Sequence, residues 1–172
     1  MYKLKEVGID VVLSGGSCME IYTNSNFSSL DIDFIASPAY RIKQIEEAMI
    51  SLNFKKVDGR YFKHDKNENY VEFPSGPVTL GDELPNKFSH IKTLVGTLTL
   101  LSPTDCIKDR LCAVIYHEAD ECINHAIAVA HLNEINEKDL LAWAKNENEE
   151  MIGDVKKTLN YSTLLKKENI NF

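Results

Sequence analysis

The sequence predicts an α+β protein, with a strand-rich first part over residues 1–101 and an all-helical second part over residues 102–172. Three observations carry that expectation. Short β-like runs recur up to Leu101, helical periodicity dominates after it, and a helix-start signal, Ser102-Pro103-Thr104-Asp105, marks the change.

In chain order, Val11-Val12-Leu13 reads as a strand that stops at the glycine turn Ser14-Gly15-Gly16-Ser17. Ser17 to Tyr22 reads as a short helix, and Asp31-Ile32-Asp33-Phe34-Ile35 as a strand of alternating character. Ile42, Ile45, Met49 and Leu52 recur at i, i+3, i+7 and i+10 and predict a helix. Strands are expected at Arg60–Lys63, at Tyr70–Phe73, and over Ile91–Leu101 with a bend at Gly96. In the second part, Ser102 is the cap, Pro103 takes the first helical position, and Ile107, Leu111, Val114 and Ile115 form a buried stripe. The apolar phase shifts near His117–Asp120, so the helix is expected to break there, with Asp120 capping the next one. A further helix begins after Asn136, and a last one occupies the tail after Gly153.

Composition bounds the function. Apolar residues make up 44% and charged residues 26%, as in an ordinary globular protein. Asp plus Glu number 26 against 19 Lys plus Arg, a net charge of −7, which argues against sequence-blind coating of nucleic acid or anionic membrane. No apolar run approaches the roughly 20 residues that span a bilayer, and the polar start, Met1 to Glu6, is unlike a signal peptide. A cytoplasmic protein with reduced thiols is therefore expected, and no membrane partner. Cys18, Cys106, Cys112 and Cys122 form no CxxC pair, and the last three, in an apolar helical-looking stretch, read as small buried apolar residues.

The segment that carries chemistry is Leu13-Ser14-Gly15-Gly16-Ser17, then 13 residues, then Asp31-Ile32-Asp33-Phe34. On a strand, residues i and i+2 share a face, about 6.6 Å apart along the chain. Asp31 and Asp33 thus project together and can converge on hard divalent cations such as Mg²⁺. The Gly-Gly-Ser turn presents bare backbone N–H groups at a helix N-terminus, a phosphate cradle that a side chain would obstruct. Glu72, alone among apolar neighbours in Tyr70-Val71-Glu72-Phe73-Pro74, is the candidate third carboxylate. Together these residues supply what phosphoryl or nucleotidyl transfer needs: a hold on a triphosphate and a hold on its metals.

The same residues resemble the signature of the nucleotidyltransferase (polymerase-β-like) superfamily, a glycine-rich turn followed by Asp-hydrophobic-Asp. Leu13 to Glu20 together with Ser102 to Leu111 are similar to the AbiEii-like bacterial nucleotidyltransferases, a group that includes toxins of toxin–antitoxin and phage-defence systems. The resemblance implies a small mixed β-sheet flanked by helices, a nucleotidyltransferase core, followed by a C-terminal helical bundle packed on it. It implies Mg²⁺, with Mn²⁺ as a substitute, on Asp31 and Asp33, to which Glu72 is the candidate third ligand, and a nucleoside triphosphate held by Gly15, Gly16, Ser17 and Lys108. Asp120 matches a late acidic position, and an antitoxin protein is the implied partner.

The expected activity is Mg²⁺-dependent transfer of a nucleoside monophosphate to an RNA end, a protein hydroxyl or a small molecule. The alternatives are a catalytically silent binding module and an antibiotic-type nucleotidyltransferase. Several relatives carry Arg-Thr just before the Asp pair where this chain has Ser28-Ser29, which either weakens nucleotide contact or moves it to another basic residue and is the main support for the silent module. A straight helix would also hold Lys108 and Asp120 about 18 Å apart by rise, so any shared role depends on the break near residue 118.

Other residues read two ways. Lys108-Asp109-Arg110 is either an exposed helical face or a phosphate contact. Arg60, Lys63 and His64 are either a solvated hairpin or substrate contacts. His117, His125 and His131 lack the i, i+4 spacing of a helical zinc pair. Trp143 reads as core, and Glu147–Glu150 as a helix end in solvent. No dedicated DNA-binding motif is present in the sequence.

Overall fold

The computed structural model describes residues 1–37, 42–74, 76–85 and 87–170. Among them the order is α1 (Tyr2–Glu6), β1 (Val11–Ser14), α2 (Gly15–Tyr22), β2 (Asp31–Ala36), α3 (Ile42–Ser51), β3 (Phe54–Asp58), β4 (Tyr61–His64), β5 (Tyr70–Glu72), β6 (Phe88–Thr93) and β7 (Gly96–Leu101). Helices α4 (Pro103–His117), α5 (Cys122–Leu132), α6 (Glu137–Glu147) and α7 (Glu149–Glu168) follow. No helix among the described residues is long and apolar enough to cross a membrane.

The strands form one mixed sheet of order β3-β4-β5-β2-β1-β7-β6. Strands β2 and β5 run parallel, as do β1 and β7, and the remaining neighbours are antiparallel. Three local differences from the sequence reading have physical causes. Residues 88–101 form a hairpin, not one bent strand: Thr93 pairs with Gly96 across a Leu94-Val95 turn, and Gly96 has φ +140°. Two apolar residues at a turn conceal it from a reading that looks for Asn, Asp and Gly. The short helix α1 and edge strand β3 were not expected. Of β3, only Phe54 is even half-buried, so it carries little apolar signal.

The helix starts follow their caps. Ser102 Oγ accepts from Asp105 N at 3.1 Å, and Pro103 opens α4. Helix α4 ends where Glu118 takes a left-handed conformation, φ 55°, which produces the expected break. Glu121, not Asp120, occupies the cap position of α5, and no side chain caps that end. Asn136 and Asn148 cap α6 and α7 through Asp139 N (3.2 Å) and Met151 N (2.8 Å). The last helix therefore starts at Glu149, and the acidic run is the junction between α6 and α7.

The core lies between the sheet and the helices. Phe62, Leu100, Leu101, Ile107, Leu111, Leu140 and Trp143 are buried in it, and α2 packs on β2 while also touching α4 and α5. Cys18, Cys106 and Cys122 are buried, Cys112 is half-buried, and all four are free thiols. Trp143 is buried as expected, and its Nε1 donates to Leu80 O at 2.8 Å, tying α6 to the connection between β5 and β6. Trp143→Ala is expected to cost about 3–5 kcal/mol. Urea unfolding followed by far-UV circular dichroism measures this; a loss below about 1 kcal/mol would contradict the packing role.

Candidate active site

Two sheet registers build the site. Asp33 on β2 pairs with Glu72 on β5 in the parallel ladder and with Ser14 on β1 in the antiparallel one. Asp31, two residues earlier on β2, shares the face of Asp33. The three carboxylates each offer an oxygen, and these oxygens lie within 4.8 Å of one another. The three acids singled out in the sequence are thus brought together.

The register also puts the glycine turn against Asp33. Gly15 has φ +65°, and a Cβ there would overlap the Asp33 carboxylate. A Cβ on Gly16 would sit 2.5 Å from Ser29 Oγ. Both glycines are therefore required first by the protein's own acid site, before any phosphate approaches. Ser17 Oγ donates to Asp31 O at 2.6 Å, so its hydroxyl braces β2. Ser29 donates from Oγ to Asp31 Oδ1 at 3.0 Å. It is held in turn by Glu20, which accepts from Ser29 N at 3.0 Å, and by Asn69, which donates to Ser29 O at 3.1 Å.

A cavity of about 430 Å³ opens over these residues, lined by Gly15, Asp33, Glu72, Arg60 and one face of α4. That size is within the roughly 300–1,000 Å³ of ordinary ligand sites. Asp33 and Glu72 line this cavity while Asp31 does not, and the larger cavities, of 700, 580, 780 and 450 Å³, are lined by none of the three acids. The chemistry therefore assigns the smaller one.

Helix α4 supplies Asp109, Cys112, Ala113 and Tyr116, spaced i, i+3, i+4 and i+7, together with Arg110 and His117. Lys108 points the other way. It is 1% exposed, with its ammonium 2.8 Å from Asp139 and 3.6 Å from Asp105 and 5.8 Å above the Trp143 ring. The structure thus places Lys108 in the bundle and its neighbours Asp109 and Arg110 at the cavity. The periodicity held that signal, since Lys108 shares the buried stripe of Leu111 and Ile115 at i+3 and i+7. Asp120 is exposed in the turn after α4, outside the cavity lining.

Two of the site's acids have arginine partners. Arg60 Nε pairs with Glu72 Oε1, and Arg110 holds Asp109 Oδ2 from Nε (3.1 Å) and Nη2 (2.7 Å). Lys63 lies over the Tyr70 ring at 4.5 Å, and His64 packs edge-on to Phe54, so neither is at the cavity. Tyr116 donates to Glu147 Oε2 at 2.8 Å, which pushes its phenol up to about 12. Glu147 also accepts from Asp82 N at 3.0 Å, so the junction acid once read as solvated holds the cavity's rim.

No family model matches the chain, and no curated protein matches it. Solved structures do. An antigenic nucleotidyltransferase-like protein from Paracoccidioides brasiliensis superposes with a TM-score of 0.64 at 14% identity, covering 97% of this chain and 84% of that one. The antibiotic-resistance factor ANT(2'')-Ia superposes with a TM-score of 0.51 at 12% identity, covering 97% and 91%. At these identities the likeness establishes the fold, which is the nucleotidyltransferase fold.

Burial first, then the charges of Asp31, Glu72 and Asp109, push the Asp33 carboxyl up from the usual range to about 7. A folded-state value above the unfolded one, near 3.9, makes the folded state bind the extra proton. Stability from this group is therefore present at pH 4 and is lost progressively as pH rises to 7, by about 2–4 kcal/mol. In EDTA, Asp33→Asn should be more stable than the parent at pH 8 and equal to it at pH 4, as read by thermal melts. Equal melts at both pH values would contradict the charge crowding.

Proposed function

We propose that this chain, which has the nucleotidyltransferase fold, is an enzyme that transfers a nucleoside monophosphate from a nucleoside triphosphate to an acceptor. The observation that carries the reading is the convergence of Asp31, Asp33 and Glu72 beside the glycine turn at the start of α2. Two oxygens on opposite sides of one Mg²⁺ lie about 4.2 Å apart, twice a Mg–O distance of about 2.1 Å. The observed spread of 4.8 Å is within a small side-chain adjustment of that span. The all-oxygen donor set suits Mg²⁺ or Mn²⁺ and not a soft metal. Bound there, such ions neutralise charge on the transferring and leaving phosphates and activate the acceptor oxygen.

The chain's own groups do the rest. The N–H groups of Gly15, Gly16 and Ser17 hold phosphate oxygens at the positive end of α2. Arg110, on the cavity wall, adds a cation where Ser28-Ser29 supply none. Glu72 either orients a metal or takes the acceptor's proton. Ser29 and Ser17 keep β2 and the Asp31 carboxylate in position, so the Ser-Ser sequence supports an ordered catalytic site more than a silent module.

The acceptor separates two readings. The motifs at Leu13–Glu20 and Ser102–Leu111 favour an AbiEii-like toxin acting on RNA or protein, with an antitoxin as partner. The likeness to ANT(2'')-Ia over 91% of its length favours a small-molecule acceptor. Transfer from radiolabelled nucleoside triphosphates to total RNA, to protein and to aminoglycosides decides between them.

Asp31→Ala and Asp33→Ala should each lower transfer by at least about 100-fold, the scale of a lost electrostatic stabiliser, with native circular dichroism. Chelation should abolish the parent's activity and Mg²⁺ or Mn²⁺ should restore it. Activity unchanged in either variant would overturn the assignment. A Mg²⁺-independent parent would overturn the metal reading.

A further inference from the structure

Glu72 is buried, at 6% exposed, yet its carboxylate has a counter-charge: Arg60, whose side chain is half in solvent. Arg60 belongs to the two-residue Gly59-Arg60 turn that joins β3 to β4, flanked by the Asp58–Tyr61 pair. Its backbone is pinned, because Arg60 O accepts from Phe73 N at 3.2 Å. Its side chain reaches Glu72 on a long stem from that fixed point, with half of it in solvent.

Two further observations give that side chain a second destination. Arg60 and Pro74 line both the 430 Å³ cavity and a neighbouring cavity of about 700 Å³, which is walled by Tyr61, Phe73 and Ile45. Arg60 therefore stands on the ridge between them. Of the Arg and Lys side chains lining the larger cavity among the described residues, Arg60 is the one present, and Asp58 is the acid beside it.

We propose that Arg60 is a displaceable counter-ion. It neutralises Glu72 until a dication takes that carboxylate, and it then turns to anchor the phosphate of an acceptor lodged in the 700 Å³ cavity. The inference rests on the metal reading of Asp31, Asp33 and Glu72. A dication and the guanidinium compete for the same buried oxygen, and once the dication is seated the two cations repel each other. A guanidinium so released has a planar fork that fits two phosphate oxygens. The apolar and aromatic wall suits the body of a phosphate-bearing acceptor. Metal binding and acceptor binding are thereby coupled, and the coupling is reciprocal.

The test uses the full-length protein, Mn²⁺ alone, and then adenosine 5′-monophosphate as the phosphate probe, all by calorimetry. Arg60→Met should bind Mn²⁺ about threefold to tenfold more tightly than the parent, because the competing cation is gone. The same variant, loaded with Mn²⁺, should bind the monophosphate about tenfold more weakly. Arg60→Lys keeps the charge without the fork, so it should bind Mn²⁺ as the parent does and still bind the monophosphate weakly. Unchanged or weaker Mn²⁺ binding in Arg60→Met overturns the displacement, and unchanged monophosphate binding overturns the anchor. A parent that binds no Mn²⁺ overturns the metal reading and this inference with it. Mn²⁺ binding lost in Asp33→Asn and tightened in Arg60→Met supports both.

Discussion

Everything at the candidate site depends on the register of β2. Asp33 stands beside Glu72 on one side and Ser14 on the other, and Gly15 follows Ser14 at once. A slip of one residue would turn Asp31 and Asp33 to the opposite face and bring Ile32 and Phe34 to the cavity. The register is held from both directions. Phe34 packs against Phe73 behind the sheet, while Ser17 and Ser29 hold Asp31 in front. The glycine turn belongs to the same constraint, since Gly15 and Gly16 leave room for Asp33 and Ser29 before they leave room for a ligand.

That register concentrates like charge. Asp31, Asp33, Glu72 and Asp109 share one region, and Asp33 responds by holding its proton up to about pH 7. Arginines offset two of the others, Arg60 at Glu72 and Arg110 at Asp109. The overall net charge of −7 therefore says little about the site itself, where part of the acidity is local and matched. Such crowding lowers stability where function requires it, and the buried bundle around Trp143 and Leu111 offsets that cost elsewhere.

The acid pair, the third carboxylate and the glycine turn were legible because each rests on a local rule: period two along a strand, or backbone freedom at glycine. The Ser102 cap and the break near Glu118 were legible for the same reason. Other features were set by tertiary contacts. Lys108 looked like a phosphate ligand by motif, yet it sits on the buried stripe and pairs with Asp139 from a helix 31 residues away in sequence. Arg60 looked like a solvated turn because its partner, Glu72, is reached only across β4 and β5. Asp120 looked like a cap, but Glu121 takes that position and no side chain caps the end. Glu147 read as surface until the Asp82 turn and Tyr116 came to it.

The central claim is that Asp31, Asp33 and Glu72 hold the divalent ions of a nucleotidyl transfer. Anomalous diffraction from crystals grown with MnCl₂ and a non-hydrolysable nucleoside triphosphate tests it most directly. The account predicts a Mn²⁺ peak ligated by these three carboxylates, with the triphosphate against the Gly15–Ser17 turn. A nucleotide bound elsewhere, or Mn²⁺ absent from the three acids in a nucleotide-loaded crystal, would contradict it.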